Sequence, residues 1–257
     1  MKYIQLETQK KVASITLNRP EKHNALNPEL IAELILAFEA VKADKQTRVV
    51  ILKSSGENFS AGADLAYLQQ LQQNTFEDNL ADSNRLKLLF NTIYTFEKPV
   101  IAQVQGKAIA GGCGLVSACD FVFAVPEAVF GYTEVKIGFV PALVASLLIK
   151  KVGESRSRQL LLSGELIDAN TAFQYGLVNY IEDKTDINEA VSAFAERLAD
   201  RTSSESVKAT KDLLSKLQGQ SFDEGMNYAA EVNANARLTD DFKKGLSAFL
   251  NKTTAKW

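Results

Sequence analysis

Between residues 100 and 118 an apolar run, Val100-Ile101-Ala102-Gln103-Val104, is followed by Ala110-Gly111-Gly112-Cys113-Gly114 and then by Leu115-Val116-Ser117-Ala118. The order reads as strand, glycine turn and helix start. A strand that feeds a helix in this way returns to its sheet by a crossover, so the chain is committed to an α/β architecture. The turn also leaves backbone N–H groups unpaired at the positive end of a helix dipole. A second small-residue turn, Asn58-Phe59-Ser60-Ala61-Gly62-Ala63-Asp64, follows the apolar strand Val49-Val50-Ile51-Leu52. Two such turns let two N–H donors converge on one oxygen, which is what a developing enolate or tetrahedral oxyanion requires.

The same alternation extends along the chain. Strand patterns at Tyr3 to Glu7 and Val12 to Leu17 end at the turn Asn18-Arg19-Pro20. Asn27-Pro28 pairs an N-cap residue with proline at the first helical position, and the helix continues through Leu30, Ile31, Leu34, Ile35 and Phe38. Helical periodicity from Leu65 to Phe96 breaks near Asn74-Thr75, and Asp120 to Ala124 reads as a further strand. From about Pro141 the pattern is helical, with Leu177 to Ile181 as the one strand-like exception. The division expected is a core over residues 1–200 and a helical region over 201–257, with no linker or repeat between them.

The 257 residues are 46% apolar and 23% charged, enough for a large core. The 29 basic and 31 acidic residues are interspersed and leave a net charge of −2, so no general field for nucleic acid or an anionic membrane is expected. No uncharged apolar run is long enough to cross a bilayer and the first residues lack a signal-peptide region, so the expected location is cytoplasmic. Cys113 and Cys119, the only cysteines, are expected to be reduced packing residues. His23 is the only histidine and lies in a polar turn beside Asn24, so a structural role is expected and the usual histidine metal sites are ruled out.

Glu134, in Phe130-Gly131-Tyr132-Thr133-Glu134-Val135-Lys136-Ile137-Gly138, is the acidic residue with the most suggestive setting. Apolar and aromatic neighbours would raise its pKa into the range of a general acid or base; the alternative is a surface carboxylate paired with Lys136. Asp64 is better placed to cap the helix that follows it than to do chemistry.

Several of these segments together resemble the crotonase (enoyl-CoA hydratase/isomerase) superfamily. They are Ile15-Thr16-Leu17-Asn18-Arg19-Pro20 with Asn24-Ala25-Leu26; Phe59 to Leu65; Lys98-Pro99-Val100-Ile101-Ala102; Gly111 to Leu115; and Ala118-Cys119-Asp120. Phe130-Gly131, Glu134, Gly138, Pro141, Ala169 and Gly176-Leu177-Val178 continue the match across the whole chain. The resemblance implies a spiral of ββα units in two sheets with a C-terminal helical trimerisation region, and a homotrimer or a dimer of trimers. It implies an acyl-CoA thioester as substrate, with no metal or redox cofactor. By motif the oxyanion donors are the N–H groups of Ala63 and Gly111, with Glu134 as acid/base. Ser60, Ala61, Gly62, Asp64, Leu65 and Gly112 border the CoA, and Lys252 matches a residue that helps hold the nucleotide from a neighbouring subunit.

One departure stands out. Typical hydratases of this family carry two catalytic glutamates, and the position matching the first is Gly114 here. Its loss is familiar among the isomerases and in a branch resembling bacterial methylglutaconyl-CoA hydratases, which Thr133-Glu134-Val135-Lys136-Ile137-Gly138 and Pro141-Ala142 also resemble. The expectation is therefore hydration of a branched enoyl-CoA, 3-methylglutaconyl-CoA favoured, with Lys136 or Arg85 meeting its distal carboxylate. The alternatives are an enoyl-CoA isomerase, a decarboxylase of methylglutaconyl thioesters, and, from a different class, a non-catalytic or RNA-binding homologue.

Overall fold

The computed structural model describes residues 1–257. Strands β1 (Ile4–Gln9) and β2 (Val12–Leu17) form an antiparallel hairpin. Helix α1 (Pro28–Ala43) then crosses to β3 (Val49–Ser54), which pairs parallel with β2. Asn27 caps α1 by accepting the Leu30 N–H at 2.9 Å, as the Asn-Pro pair leads one to expect.

Helices α2 (Leu65–Leu71) and α3 (Phe76–Tyr94) separate β3 from β4 (Val100–Val104). The break between them is a capping box, with Thr75 and Asp78 each satisfying the other's backbone N–H. β5 (Lys107–Ile109), α4 (Gly111–Ala118), β6 (Phe121–Ala124) and β7 (Val129–Gly131) follow in close succession. Helix α5 (Ala142–Ser163) leads to β8 (Leu166–Asp168), α6 (Ala169–Tyr175), β9 (Tyr180–Ile181) and α7 (Ile187–Arg201). The chain ends in α8 (Ser204–Leu217), α9 (Phe222–Ala236) and α10 (Asp240–Leu250).

Six strands form one sheet in the order β1-β2-β3-β4-β6-β9, and β5-β7-β8 form a second. The central strand β4 is buried along its whole length, which is why it reads as a continuous apolar run rather than an alternating one. A single cluster of 51 buried apolar residues joins both sheets, so the strand ends that carry the glycine turns sit on one rigid core.

Two sequence expectations need correction. The helical pattern from Pro141 contains a strand, β8, and the strand read over Leu177 to Ile181 shrinks to the two residues of β9. The other two strands of the second sheet, β5 and β7, also span only three residues each, too few to show a period of two. Buried Leu177 and Val178 belong instead to the turn after α6, whose left-handed Gly176 closes the helix. No helix is long and apolar enough to cross a membrane.

Candidate active site

The turn at residues 58–64 is stitched between two neighbours. Ser60 donates its N–H to the Lys107 carbonyl at 3.1 Å and accepts the Ile109 N–H at 2.9 Å. On its other side Leu26 donates to the Gly62 carbonyl at 2.6 Å, and Asp64 donates to the Leu26 carbonyl at 2.9 Å. These bonds fix the backbone on either side of Ala63, whose own N–H has no partner within the chain.

Gly111, the first residue of α4, likewise has an unpartnered N–H. The two turns touch: a Cβ at Gly62 would lie 3.0 Å from the Ala110 Cβ and 3.6 Å from the Gly111 nitrogen. A Cβ at Gly112 would lie 2.5 Å from the Ser60 carbonyl oxygen. Only glycine at positions 62 and 112 permits this close approach of the two turns.

Asp64 does what the sequence reading assigned to it. Its Oδ1 accepts the Ala66 and Tyr67 N–H groups at 2.9 and 3.3 Å, capping α2. Its Oδ2 takes a bond from the Arg19 guanidinium at 2.7 Å, with both side chains only about a tenth exposed. Burial pushes the carboxyl up, but the Arg19 bond and the two backbone donors outweigh it and hold Asp64 below the usual carboxylate range. Arg19 is in turn fixed by donating to the Ala25 carbonyl at 3.1 Å.

Glu134 opens a short 3₁₀ turn (Glu134–Ile137) directly after β7. It is half-buried, its Oε2 is inaccessible, and that oxygen has no hydrogen-bond partner. Burial raises its pKa, with its own backbone N–H offsetting the effect in part. No ion pair joins it to Lys136, which is exposed and lays its aliphatic stem beside Gly164. A carboxylate desolvated and left without a partner costs free energy, and such groups cluster where a proton is to be moved.

The other residues singled out in the sequence are distributed as follows. Ser60 is fully buried, its hydroxyl donating to the Asn24 carbonyl at 2.9 Å, so its side chain anchors the turn. Ala61 donates its N–H to the His23 carbonyl, and His23 lies in a left-handed turn with its ring 3.0 Å from the Asn58 amide nitrogen. Leu65 is exposed beside Ala63. Arg85 pairs with Asp82 at 3.0 Å, and Asp82 also accepts the Tyr67 hydroxyl, a polar group on α2 and α3 that the sequence did not reveal. Lys252 lies exposed past the end of α10. Both cysteines are free and buried, and burial pushes each thiol up to about 12, which keeps them unreactive.

Position 114 has no room for a side chain, because a Cβ there would meet Phe90 Cζ at 2.5 Å and Val144 Cγ1 at 2.8 Å. The space is apolar and filled. Two cavities, of about 1130 and 590 Å³, lie against α8 and include none of Ala63, Gly111 and Glu134.

Two touching turns that each leave a backbone N–H free, and a desolvated glutamate in the 3₁₀ turn after β7, are set into a chain whose residues 7–257 match the enoyl-CoA hydratase/isomerase family. The chain belongs to that family. It is 44% identical over 241 residues to a provisionally named enoyl-CoA hydratase of Thermus thermophilus, covering 94% of this chain and 95% of that one. It is 33% identical to a 2,3-dehydroadipyl-CoA hydratase of Escherichia coli, covering 96% and 94%. The crystal structure of an enoyl-CoA hydratase from Shewanella pealeana superposes with a TM-score of 0.94 at 33% identity, covering 99% of this chain and 96% of that one. The fold is thus the crotonase fold, and the protein is an enzyme of the enoyl-CoA hydratase/isomerase family.

Proposed function

We propose that this enzyme hydrates a branched enoyl-CoA bearing a distal carboxylate, with 3-methylglutaconyl-CoA the favoured substrate, and that Glu134 serves both proton transfers. The thioester oxygen accepts hydrogen bonds from the Ala63 and Gly111 N–H groups. Glu134 takes a proton from water as the water oxygen bonds to C3, and the electron pair of the double bond moves onto the thioester as an enolate held by the two donors. The protonated Glu134 then returns its proton to C2, so water has been added and the enzyme is regenerated. The observation that carries this reading is the buried, unpartnered Oε2 of Glu134.

A distal carboxylate is supported by the Escherichia coli relative, whose substrate by name is a dicarboxylic acyl thioester. The carboxylate requires a cation or several donors. Lys136 is unpaired and Arg85 spends only part of its donor capacity on Asp82. The second reading is an enoyl-CoA isomerase, favoured by the filled apolar space at Gly114, which leaves no second carboxylate to hold the water. Turnover of a panel of enoyl-CoAs with and without a distal carboxylate, with products identified by mass, separates the two. A product heavier than its substrate by one water supports hydration, and an unchanged mass with a shifted double bond supports isomerisation. Replacing Lys136 or Arg85 by methionine is expected to harm the carboxylated substrate selectively, and equal loss on both classes overturns the carboxylate assignment.

Assembly into a homotrimer, or a pair of them, is part of the same proposal. Helices α8 to α10 leave Phe222, Met226, Phe249 and Leu250 each more than half exposed, an apolar surface that a second copy would cover. In such an assembly Lys252 would reach a neighbour's CoA. Sedimentation of the purified chain tests the assembly, and a monomer at micromolar concentration removes it.

A further inference from the structure

The Gly111 donor and the Glu134 carboxylate lie on different elements, α4 and the turn after β7, and the reaction needs both at a fixed separation. Three bonds join the two elements. Ala110 donates its N–H to the Gly131 carbonyl at 2.7 Å, and Gly131 donates its N–H to Cys113 Sγ at 3.3 Å. The third bond joins the Ser117 and Tyr132 hydroxyls at 2.8 Å. Cys113 and Ser117, four residues apart, share the face of α4 that meets residues 131 and 132.

The third bond is the unusual one. Three other helical serines, Ser157, Ser163 and Ser192, donate to the carbonyl four residues back on their own helix. Ser117 reaches off its helix instead, to a tyrosine buried completely and two residues from Glu134. Burial pushes the Tyr132 phenol well above its ordinary range, so it remains a neutral hydroxyl able to keep this bond.

We propose that Tyr132, through its bond to Ser117, is a positioning residue that sets the separation between the Gly111 N–H and the Glu134 carboxylate. The proposal rests on the reading of Glu134 as the acid/base. Removing the phenol oxygen leaves the two bonds at Gly131 in place, so the fold persists while the end of β7 gains freedom relative to α4.

The test is exchange of the α-hydrogens of butyryl-CoA in D₂O by the full-length enzyme, a reaction that needs only the oxyanion donors and the proton carrier. Tyr132→Phe, Ser117→Ala and the double variant are compared, with Glu134→Gln as control. Each single variant is expected to lower the exchange kcat about tenfold with the KM for butyryl-CoA held within about twofold, since misplacement harms the transition state more than binding. The double variant is expected to lose no more than either single one. Native exchange rates in Tyr132→Phe, with or without a lowered melting temperature, overturn the proposal, as does a rise in KM that accounts for the whole loss. Native exchange in Glu134→Gln would instead overturn the acid/base reading, so the two failures are distinguishable.

Discussion

Replacing Gly112 with alanine adds one methyl group and should remove most of the activity. The new Cβ would sit 2.5 Å from the Ser60 carbonyl oxygen and 2.9 Å from Ser60 Cβ, whereas ordinary contact begins at 3.4 Å. The two turns must therefore separate by about 3.4 − 2.5 = 0.9 Å. Ser60 cannot yield that distance alone, because its N–H, its carbonyl and its hydroxyl are bonded to Lys107, Ile109 and Asn24. An oxyanion bond of about 2.9 Å stretched by this amount lies outside hydrogen-bonding range. Loss of one such donor typically lowers kcat by about 10²–10³, or about 3–4 kcal/mol in the transition state. Gly111→Ala supplies the internal comparison. There the added Cβ meets only Leu26 Cδ1, at 3.0 Å, the far end of a side chain that can rotate away. Its cost should stay near the ~1 kcal/mol of rotamer strain. Steady-state turnover of an enoyl-CoA, measured with circular dichroism to verify folding, checks the pair. A folded Gly112→Ala enzyme with turnover close to that of the parent, or an equal loss in Gly111→Ala, would refute the converging-donor geometry.

Glu134→Gln should lower turnover about 10²–10⁴-fold with acyl-CoA binding largely kept, as steady-state kinetics and calorimetric titration would reveal. The same substitution should stabilise the fold at neutral pH, because a carboxyl with a raised native pKa binds protons more tightly folded than unfolded and penalises the native state once ionised. The gain should grow as pH climbs from the ordinary carboxylate range through the raised value and vanish below that range; melting curves at a series of pH values that show no such trend would count against burial as the cause. Arg19→Met should cost about 3–5 kcal/mol, since it strands Asp64 without its buried partner, and denaturant titration measures it. Asp64 has the opposite sign to Glu134: its stabilisation is present above the ordinary carboxylate range and is lost as pH falls through its lowered native value.

What the sequence disclosed depended on the length over which each signal ran. Helix α1, with its Asn27-Pro28 start and many turns of apolar spacing, was legible, as were β2, β3 and β4. The three-residue strands β5, β7 and β8 were not, because their pairing is imposed by tertiary contact rather than by local pattern. At the site, the two glycine turns and Glu134 stood out because a small-residue turn after an apolar strand and a lone acid among apolar residues are local features, whereas Ala63 and Gly111 were singled out within those turns only by the family resemblance. The bond from Ser117 to Tyr132 did not stand out, since it joins residues on two elements whose facing depends on the whole fold. Only the i, i+4 spacing of Cys113 and Ser117 in an apolar helix hinted at it. The filled space at Gly114 was invisible for the same reason: Phe90 and Val144 come from α3 and α5.

Ala110 connects these observations. Its backbone holds φ 49° and ψ −118°, a positive-φ conformation that favours glycine, yet the residue is alanine. Strain of this kind costs about 1–3 kcal/mol and persists only where the surroundings impose it. Here the Ala110 N–H is held by the Gly131 carbonyl, and the resulting turn leaves the next N–H, that of Gly111, without a partner. The alanine methyl packs against Gly62 in the opposite turn, and in the proposed mechanism it would act as the spacer between the two donors. Ala110→Gly should therefore move stability and activity in opposite directions. Relief of strain, less the ~0.4–1 kcal/mol entropic cost of a new glycine, should leave the variant more stable. Loss of the spacer should lower kcat while leaving KM nearly unchanged. Melting temperature and turnover measured on the same preparation decide the point: a less stable variant with full activity would mean that Ala110 is neither strained nor a spacer, and that the separation of the donors is set elsewhere.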